Sequence, residues 1–430
     1  MAERTVGRRP TNGGRTIAIK KNKRKSPLSM FFHSGSIDVI FCCFVFLIFA
    51  FGITMMYSAS YAYASKNASS ANAYFLRQLF FGIMGIIAMF IISKIDYRML
   101  NSWLTPFVAV PISLGLLVLA LFMNSDESIK RWVKIGPIQF QPSEIAKFVL
   151  ILLMAYLLCI LYEPLRSEKG KPVKPKRANL TTAEKILFNF IDTPFKSAVF
   201  LAGVVVVFFG FVIIGKHLSG SILIFSIGLV MMWVGGVKKK YFAIAFAFIG
   251  IVVVAVIIKP ELLKAFSDYA YERVAVWKAK ETVGRTTYWQ TKNGLWAIGS
   301  GGPFGLGFGN SKQKLLFVPE PQTDYIFSIV CEELGFVGAM AVIILFALLI
   351  VRGFMIATRT TDYFGSLLII GIMAQVALQV ILNIAVVTDT IPNTGVPLPF
   401  FSYGGTSLFI LLCEMGIVLS VSRRSYLDKE

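Results

Sequence analysis

Long uninterrupted apolar runs constrain this chain more than any other feature. IDVIFCCFVFLIFAFGITMMY (37–57) and WLTPFVAVPISLGLLVLALFM (103–123) each carry one charge or none. A run of this length crosses about 30 Å of hydrocarbon as a helix. Inside lipid a helix satisfies its own backbone donors and acceptors, which an irregular chain cannot. Roughly ten such segments recur along the chain, the others near 78–93, 142–162, 196–215, 219–236, 241–258, 324–351, 364–387 and 400–421. The expectation is an all-α integral membrane protein with about ten transmembrane helices. A chain that is 56% hydrophobic with only 15% charged residues is made of membrane spans, not one globular core.

Charge sets the orientation. Most of the 43 Lys+Arg fall in the tails and alternate loops, whereas the other short loops hold only Lys66, Arg77, Lys130, Arg131, Lys134 and Lys216. The positive-inside rule then places both termini in the cytoplasm. It also makes the stretch between helices 7 and 8 a large extracellular loop. The net charge of +20 is thus mainly a topology signal, and no nucleic-acid partner is expected. The tail GRRPTNGGRTIAIKKNKRK suits anionic lipid. No cleavable signal peptide is expected, because the first apolar run is too long for one. All five cysteines sit in apolar segments, which fits packing rather than a disulfide or metal framework. His33 and His217 are too far apart in sequence to imply a metal site.

The chain divides into a basic disordered cytoplasmic tail (1–35), a transmembrane domain (36–422) and a short cytoplasmic tail (423–430). Within the domain, 162–194 reads as a cytoplasmic linker with a surface helix from Thr182. Residues 259–322 form the extracellular loop, and a long loop with its own composition is usually functional.

Polar residues at membrane depth point to function, since each costs about 2.5–3.5 kcal/mol on insertion scales. Four clusters stand out. In KRWVKIGPIQFQPSEIAKF, Pro142 suits a first helical turn. Glu144 and Lys147 then share a helix face one turn apart, either as a structural ion pair or as part of a site. In the large loop, Val274, Val276, Trp277 and Lys278 have the spacing of an amphipathic helix on the outer leaflet. Six glycines from Gly299 to Gly309 offer either phosphate-binding backbone or a flexible turn. In VPEPQTDYIFSIVCEELG, Glu320 and Asp324 enter a helix that Thr323 or Asp324 would cap. Glu332 and Glu333 lie deeper, where capping cannot account for them. In NIAVVTDTIPNTGVPLPFFSYGGTS, prolines and glycines break helices at a depth tolerated only inside protein or beside a cavity. Together the clusters imply an anionic, amphipathic ligand reached from the outer leaflet. The residues alone do not separate an enzyme from a transporter.

RWVKIGPIQFQPSEIAKF, GFGNSKQKLLFVPEPQTDYIFSIVCEELG and PNTGVPLPFFSYGGTSL resemble the three signature regions of the SEDS family (shape, elongation, division, sporulation). GNSKQK is more similar to the division and sporulation members than to the elongation members. The resemblance implies a peptidoglycan glycosyltransferase in the bacterial cytoplasmic membrane, acting at the division septum. Its substrate would be lipid II, an undecaprenyl-pyrophosphate disaccharide-pentapeptide. Its partners would be a class B penicillin-binding protein, the crosslinking transpeptidase, and other membrane proteins of the divisome. A general base would take the acceptor hydroxyl's proton. Cations, or a divalent ion such as Mg2+ or Mn2+, would stabilise the leaving pyrophosphate.

By motif match the substrate-binding residues would be Arg131, Glu144, Lys147, Lys312, Lys314, Glu320, Thr323, Asp324, Ser402, Tyr403, Gly404 and Gly405. The chain departs from the family in its large loop, where an essential aspartate is expected before AIGSGG. No Asp lies between Arg273 and Gly302, and Glu281 is the carboxylate nearby. Glu281 is therefore the expected catalytic base. Loss of that aspartate keeps a silent divisome scaffold open, beside a lipid II flippase. Gln322 stands where the family usually has histidine, and Asp389, where glycine is common, is a further candidate acid.

Overall fold

The computed structural model describes residues 36–67, 70–123, 132–135, 138–162, 182, 191, 193–264, 268–279 and 285–427. The 1–35 tail, nearly all of the 162–194 linker, Arg131 and Glu281 lie outside the described residues.

Ten apolar helices account for the ten predicted spans. In chain order they begin with α1 (Val39–Asn67), α2 (Ala73–Lys94), α3 (Leu104–Met123), α4 (Pro142–Tyr162), α5 (Pro194–Ile214), α6 (Leu218–Val234) and α7 (Lys239–Ile258). The large loop carries two helices of its own, α8 (Asp268–Ala279) and α9 (Arg285–Ser300). The bundle resumes with α10 (Ile326–Arg359), α11 (Tyr363–Val387) and α12 (Gly405–Leu427). Among the described residues, nine helices are long and apolar enough to cross a membrane. The exception is α6, whose 17 residues reach about 25 Å at 1.5 Å per residue.

Burial orders the bundle. α4, α11 and α12 are mostly buried, whereas α7 is almost wholly exposed. α12 packs along α2, α10 lies against α1 and α11, and α4 is held between α3, α6 and α11. Large side chains such as Phe41, Met55, Leu150, Phe346, Phe364 and Phe401 fill the space between them. A small antiparallel hairpin, β1 (Val133–Ile135) and β2 (Ile138–Phe140), pairs Val133 with Phe140 and leads into α4. α4 starts at Pro142 as the sequence predicts, because a first-turn residue needs no N–H.

Two spans depart from prediction. α1 runs ten residues past Tyr57 and carries Ser58 and Tyr63 to the outer end of the bundle. α10 is broken at Gly335, whose φ of 66° and ψ of −167° are not helical. That break explains Glu332 and Glu333. The Glu332 carboxylate accepts from the Ser311 hydroxyl and from the backbone N–H groups of Lys312 (2.9 Å) and Gln313 (3.3 Å). Glu333 accepts from Gly309 N (3.0 Å), Ser58 Oγ (2.7 Å) and Lys314 Nζ (2.6 Å). Buried carboxylates are stable when donors surround them, and here the donors are the returning loop. The glycines of that loop have a packing role. A Cβ on Gly305 would collide with the Glu333 carbonyl, and one on Gly335 with the Gly305 and Phe304 backbones. The loop is therefore seated on the kinked helix and does not form a phosphate cradle in the cavity.

The amphipathic segment predicted in the loop is helical, as α8. Ala270, Ala275 and Val276 are buried, and Trp277 Nε1 donates to the Asp389 carbonyl at 3.0 Å. α8 is thus docked on the protein. None of the five cysteines forms a disulfide.

Candidate functional site

A cavity of about 650 Å³ opens at the end of the bundle that the charge pattern assigns to the outer face. Four motif regions that are distant in sequence converge on it. They are the start of α4, the 319–324 turn before α10, the non-helical stretch after α11, and the start of α12.

The floor lies at the start of α4. Lys147 Nζ donates to Glu144 Oε2 at 2.9 Å. Glu144 lines the cavity, while Lys147 is only 1% exposed and sits behind it. The carboxylate thus faces the cavity and the ammonium supports it from below, the reverse of a lysine reaching up to phosphate. Beside them Ser143 Oγ is 3.0 Å from His217 Nδ1, and Gln141 Nε2 is 3.2 Å from the same ring.

The 319–324 turn forms one wall. Glu320 is exposed at the rim and adopts a φ of 46°, a strained backbone for a residue with a Cβ. Thr323 Oγ1 donates to the Glu320 carbonyl at 2.7 Å and to Asp324 Oδ1 at 3.0 Å. Neither Thr323 nor Asp324 caps α10. The N-cap is Tyr325, without a side-chain cap bond. The Tyr325 hydroxyl lies 3.0 Å from Thr291 Oγ1 and accepts from Asn393 at 3.2 Å. Burial, with the Asp324 charge adding to it, pushes the Tyr325 phenol up from its ordinary value.

The stretch after α11 is pinned to that turn. Ser402 Oγ donates to the Thr323 carbonyl at 2.6 Å, and Tyr403 N donates to the Gln322 carbonyl at 2.7 Å. Gln78 of α2 bonds Ser402 O (3.1 Å) and Gly404 N (3.0 Å). Asn383 of α11 donates to the Asp324 and Val396 carbonyls, each at 2.8 Å. The broken backbone that the prolines and glycines predict is therefore satisfied by amide side chains.

Of the residues expected from sequence, Glu144, Glu320, Thr323, Asp324, Ser402, Tyr403, Gly404 and Gly405 line the cavity. Lys147 supports it from behind. Lys312 and Lys314 do not line it. Lys312 is exposed on the loop, and the Lys314 ammonium is buried against Glu333 and Ser58. Asp389 is also absent from the lining. Sequence reasoning missed Arg77, His217, Arg273 and Gln290, and also Gln375 and Gln379, all of which line the cavity. Two glutamines four apart in the apolar run of α11 were a readable signal, being polar, on one face and at membrane depth. Arg77 and Arg273 carried no such signal, since each is a single basic residue, one just ahead of the apolar run near 78–93 and the other in the charged stretch of the large loop.

The cavity thus offers cations (Arg77, Arg273), carboxylates (Glu144, Glu320, Asp324) and several amides. Among the described residues no group of three or more His, Cys, Asp or Glu converges as a metal cage. Glu144 is already neutralised by Lys147. The described residues thus assemble no cage for a divalent cation, and Arg77 and Arg273 are the arginines among them that line the cavity.

The fold and cavity define a multi-pass membrane protein with a polar site open at one face of the bundle. A family model for cell cycle proteins of the FtsW, RodA and SpoVE type matches residues 38–427, and the chain belongs to that family. Stage V sporulation protein E of Bacillus subtilis is 33% identical over 397 residues, covering 90% of this chain and 97% of the relative. A probable peptidoglycan glycosyltransferase FtsW of Trichlorobacter lovleyi is also 33% identical, covering 91% and 94%. The crystal structure of the Thermus thermophilus rod shape determining protein RodA superposes with a TM-score of 0.59 at 24% identity, covering 91% of this chain and 98% of that one. A chain from a peptidoglycan synthase complex that coordinates polymerization and crosslinking gives 0.67 at 24% identity, with 91% and 99% covered. These two structural likenesses concern the fold.

Proposed function

We propose that the protein is a peptidoglycan glycosyltransferase of the FtsW/SpoVE type, polymerising lipid II at the outer face of the bacterial cytoplasmic membrane. The observation that carries the reading is the convergence of separate motif regions on one outward cavity holding both carboxylates and arginines. Relatives about a third identical over nearly their whole length bear the name glycosyltransferase.

The acceptor sugar hydroxyl attacks the anomeric carbon of the donor. The new glycosidic bond forms as the bond to pyrophosphate breaks, and a base takes the hydroxyl proton. Arg77 and Arg273 meet the charge that develops on the pyrophosphate. Glu281 is our assignment for the base. It belongs to the segment between α8 and α9, both of which contribute lining residues to the cavity through Arg273 and Gln290. The working setting we assign is the division septum. The partners would be a class B penicillin-binding transpeptidase and other divisome membrane proteins.

The test is glycan polymerisation from lipid II by the purified full-length protein with its transpeptidase. Polymer from wild type and none from Glu281→Ala is the expected result. Full activity in Glu281→Ala removes Glu281 as the base. No polymer from wild type, with lipid II still bound, replaces the enzyme by a flippase or a silent scaffold.

A further inference from the structure

The 302–308 stretch, GPFGLGF, is the apolar part of a loop that elsewhere carries charge. No charged residue lies between Lys292 and Lys312. Phe304 is 80% exposed and Phe308 50%, although both are large and apolar. Beside them runs the kinked part of α10, where Phe336 is 66% exposed. Phe336 N donates to the Gly302 carbonyl at 2.8 Å and Val337 N to the Pro303 carbonyl at 3.1 Å, so loop and helix present one apolar surface.

Two ties between α1 and α10 set the depth of that surface. At one end Arg352 pairs with Asp38 at 2.8 Å. At the other Ser58 Oγ donates to Glu333 Oε1 at 2.7 Å. Asp38 and Ser58 are 20 residues apart, and Glu333 and Arg352 are 19 apart. Either helix thus rises about 30 Å between the ties, the thickness of a bilayer's hydrocarbon. Leu306 N and Gly307 N donate to the Glu332 and Glu333 carbonyls, each at 2.9 Å. The 302–308 stretch is therefore level with the second tie, at the edge of the hydrocarbon, and Phe336 lies just inside it.

Irregular backbone at that depth must have its polar groups satisfied. Here Gly305 N donates to Gly301 O (2.8 Å), Gly309 N to the Glu333 carboxylate (3.0 Å) and Asn310 N to Gly307 O (3.1 Å). Residue 303 is a proline, which has no N–H. A loop standing in water has no need of such pairing. The flanks suit the headgroup level, where tryptophan and lysine collect. Trp289 and Trp296 of α9 are exposed, with Lys292 Nζ 5.0 Å from the Trp296 ring, and Lys312 is exposed.

We propose that the 302–308 stretch, together with Phe336, docks into the bilayer leaflet on the cavity side. The partner is phospholipid. Its acyl chains meet Phe304, Phe308 and Phe336, and its phosphates meet Lys292 and Lys312. The loop runs directly into the 319–324 turn, so the lipid contact holds that wall of the cavity at a fixed height on the membrane. The docking follows from the depth of the loop and stands apart from the glycosyltransferase reading.

The test uses the full-length protein in phosphatidylethanolamine and phosphatidylglycerol nanodiscs, with the photo-crosslinker p-benzoylphenylalanine in place of Phe304 or of Phe308. The same substitution at Ile344, exposed at mid-span of α10, is the lipid-facing control. A Tm equal to that of wild type shows each variant folded, and either loop position suffices if the other lowers it. After irradiation, the intact mass should rise by one phospholipid at 304 and 308 as it does at 344. Fragmentation should place the new bond on an acyl chain. No lipid adduct at 304 and 308, with one present at 344, overturns the docking. So does an adduct that passes from lipid to protein when the proposed transpeptidase is reconstituted alongside, which would make the surface a protein interface.

Discussion

Replacing Glu144 by Gln should damage the protein more than replacing Lys147 by Met, although the two residues are a single ion pair. The pair is 2.9 Å long, with side-chain exposures of 1% for Lys147 and 11% for Glu144. At an effective dielectric of about 20 its gross attraction is roughly 5–6 kcal/mol, most of which offsets desolvation. Glu144→Gln takes from an ammonium sealed behind the cavity wall the carboxylate that accepts its hydrogen bond, leaving only the buried Glu414 to act on it at longer range, a loss of up to about 3–5 kcal/mol. Lys147→Met leaves a carboxylate at a wet surface, where water can solvate it, for about 1–2 kcal/mol. The double variant removes both charges and should fall near wild type, as replacement of buried pairs by apolar residues often does. The assay is thermal unfolding of the detergent-solubilised protein, followed by tryptophan fluorescence. At roughly 2 °C per kcal/mol for a chain of this size, Glu144→Gln should lower Tm by up to about 6–10 °C. Equal and additive losses from the two single variants would refute the account, because independent residues add and coupled ones do not.

Gly335→Ala should unseat the 301–318 loop, since φ of 66° and contact with the Gly305 backbone leave no room for a Cβ. We expect a loss of about 2 kcal/mol or more, with faster proteolysis of that loop than of the rest of the chain. Lys314→Met should destabilise by about 3–5 kcal/mol, because it strips Glu333 of its buried cation. Lys314→Met with Glu333→Gln should recover part of that in the same Tm assay. Tyr325 gives a pH signature. Its phenol is held above its ordinary value by burial, so its contribution is complete below about pH 10 and is lost above it, where the unfolded chain releases the proton first. Tyr325→Phe should lose about 1–2 kcal/mol at neutral pH from its broken hydrogen bonds. It should also show a shallower fall in Tm between about pH 10 and 11 than wild type.

The legible part of the site was the part written in local sequence. Glu144 and Lys147 three apart after Pro142, the 319–324 turn and SYGG could each be found as polar groups that a membrane segment must justify. Lys314 was misplaced for a physical reason. Sequence shows a cation near a motif, but not that Glu333, just before the Gly335 break, would bury it. Arg77, Arg273 and His217 come from three separate parts of the chain, and nothing local marks them as neighbours.

By itself the sequence determined that the chain carries about ten membrane-spanning helices and which stretches must be polar inside. Those follow from the cost of exposing backbone and charge to hydrocarbon, a cost levied residue by residue. Only the tertiary structure decided that Glu144 and not Lys147 faces the cavity, that the glycine-rich loop is a seat for a kinked helix, and that the tyrosines of α1, α2 and the SYGG stretch share one wall. Those depend on which helix packs against which, and apolar periodicity specifies that a face is buried without naming its partner.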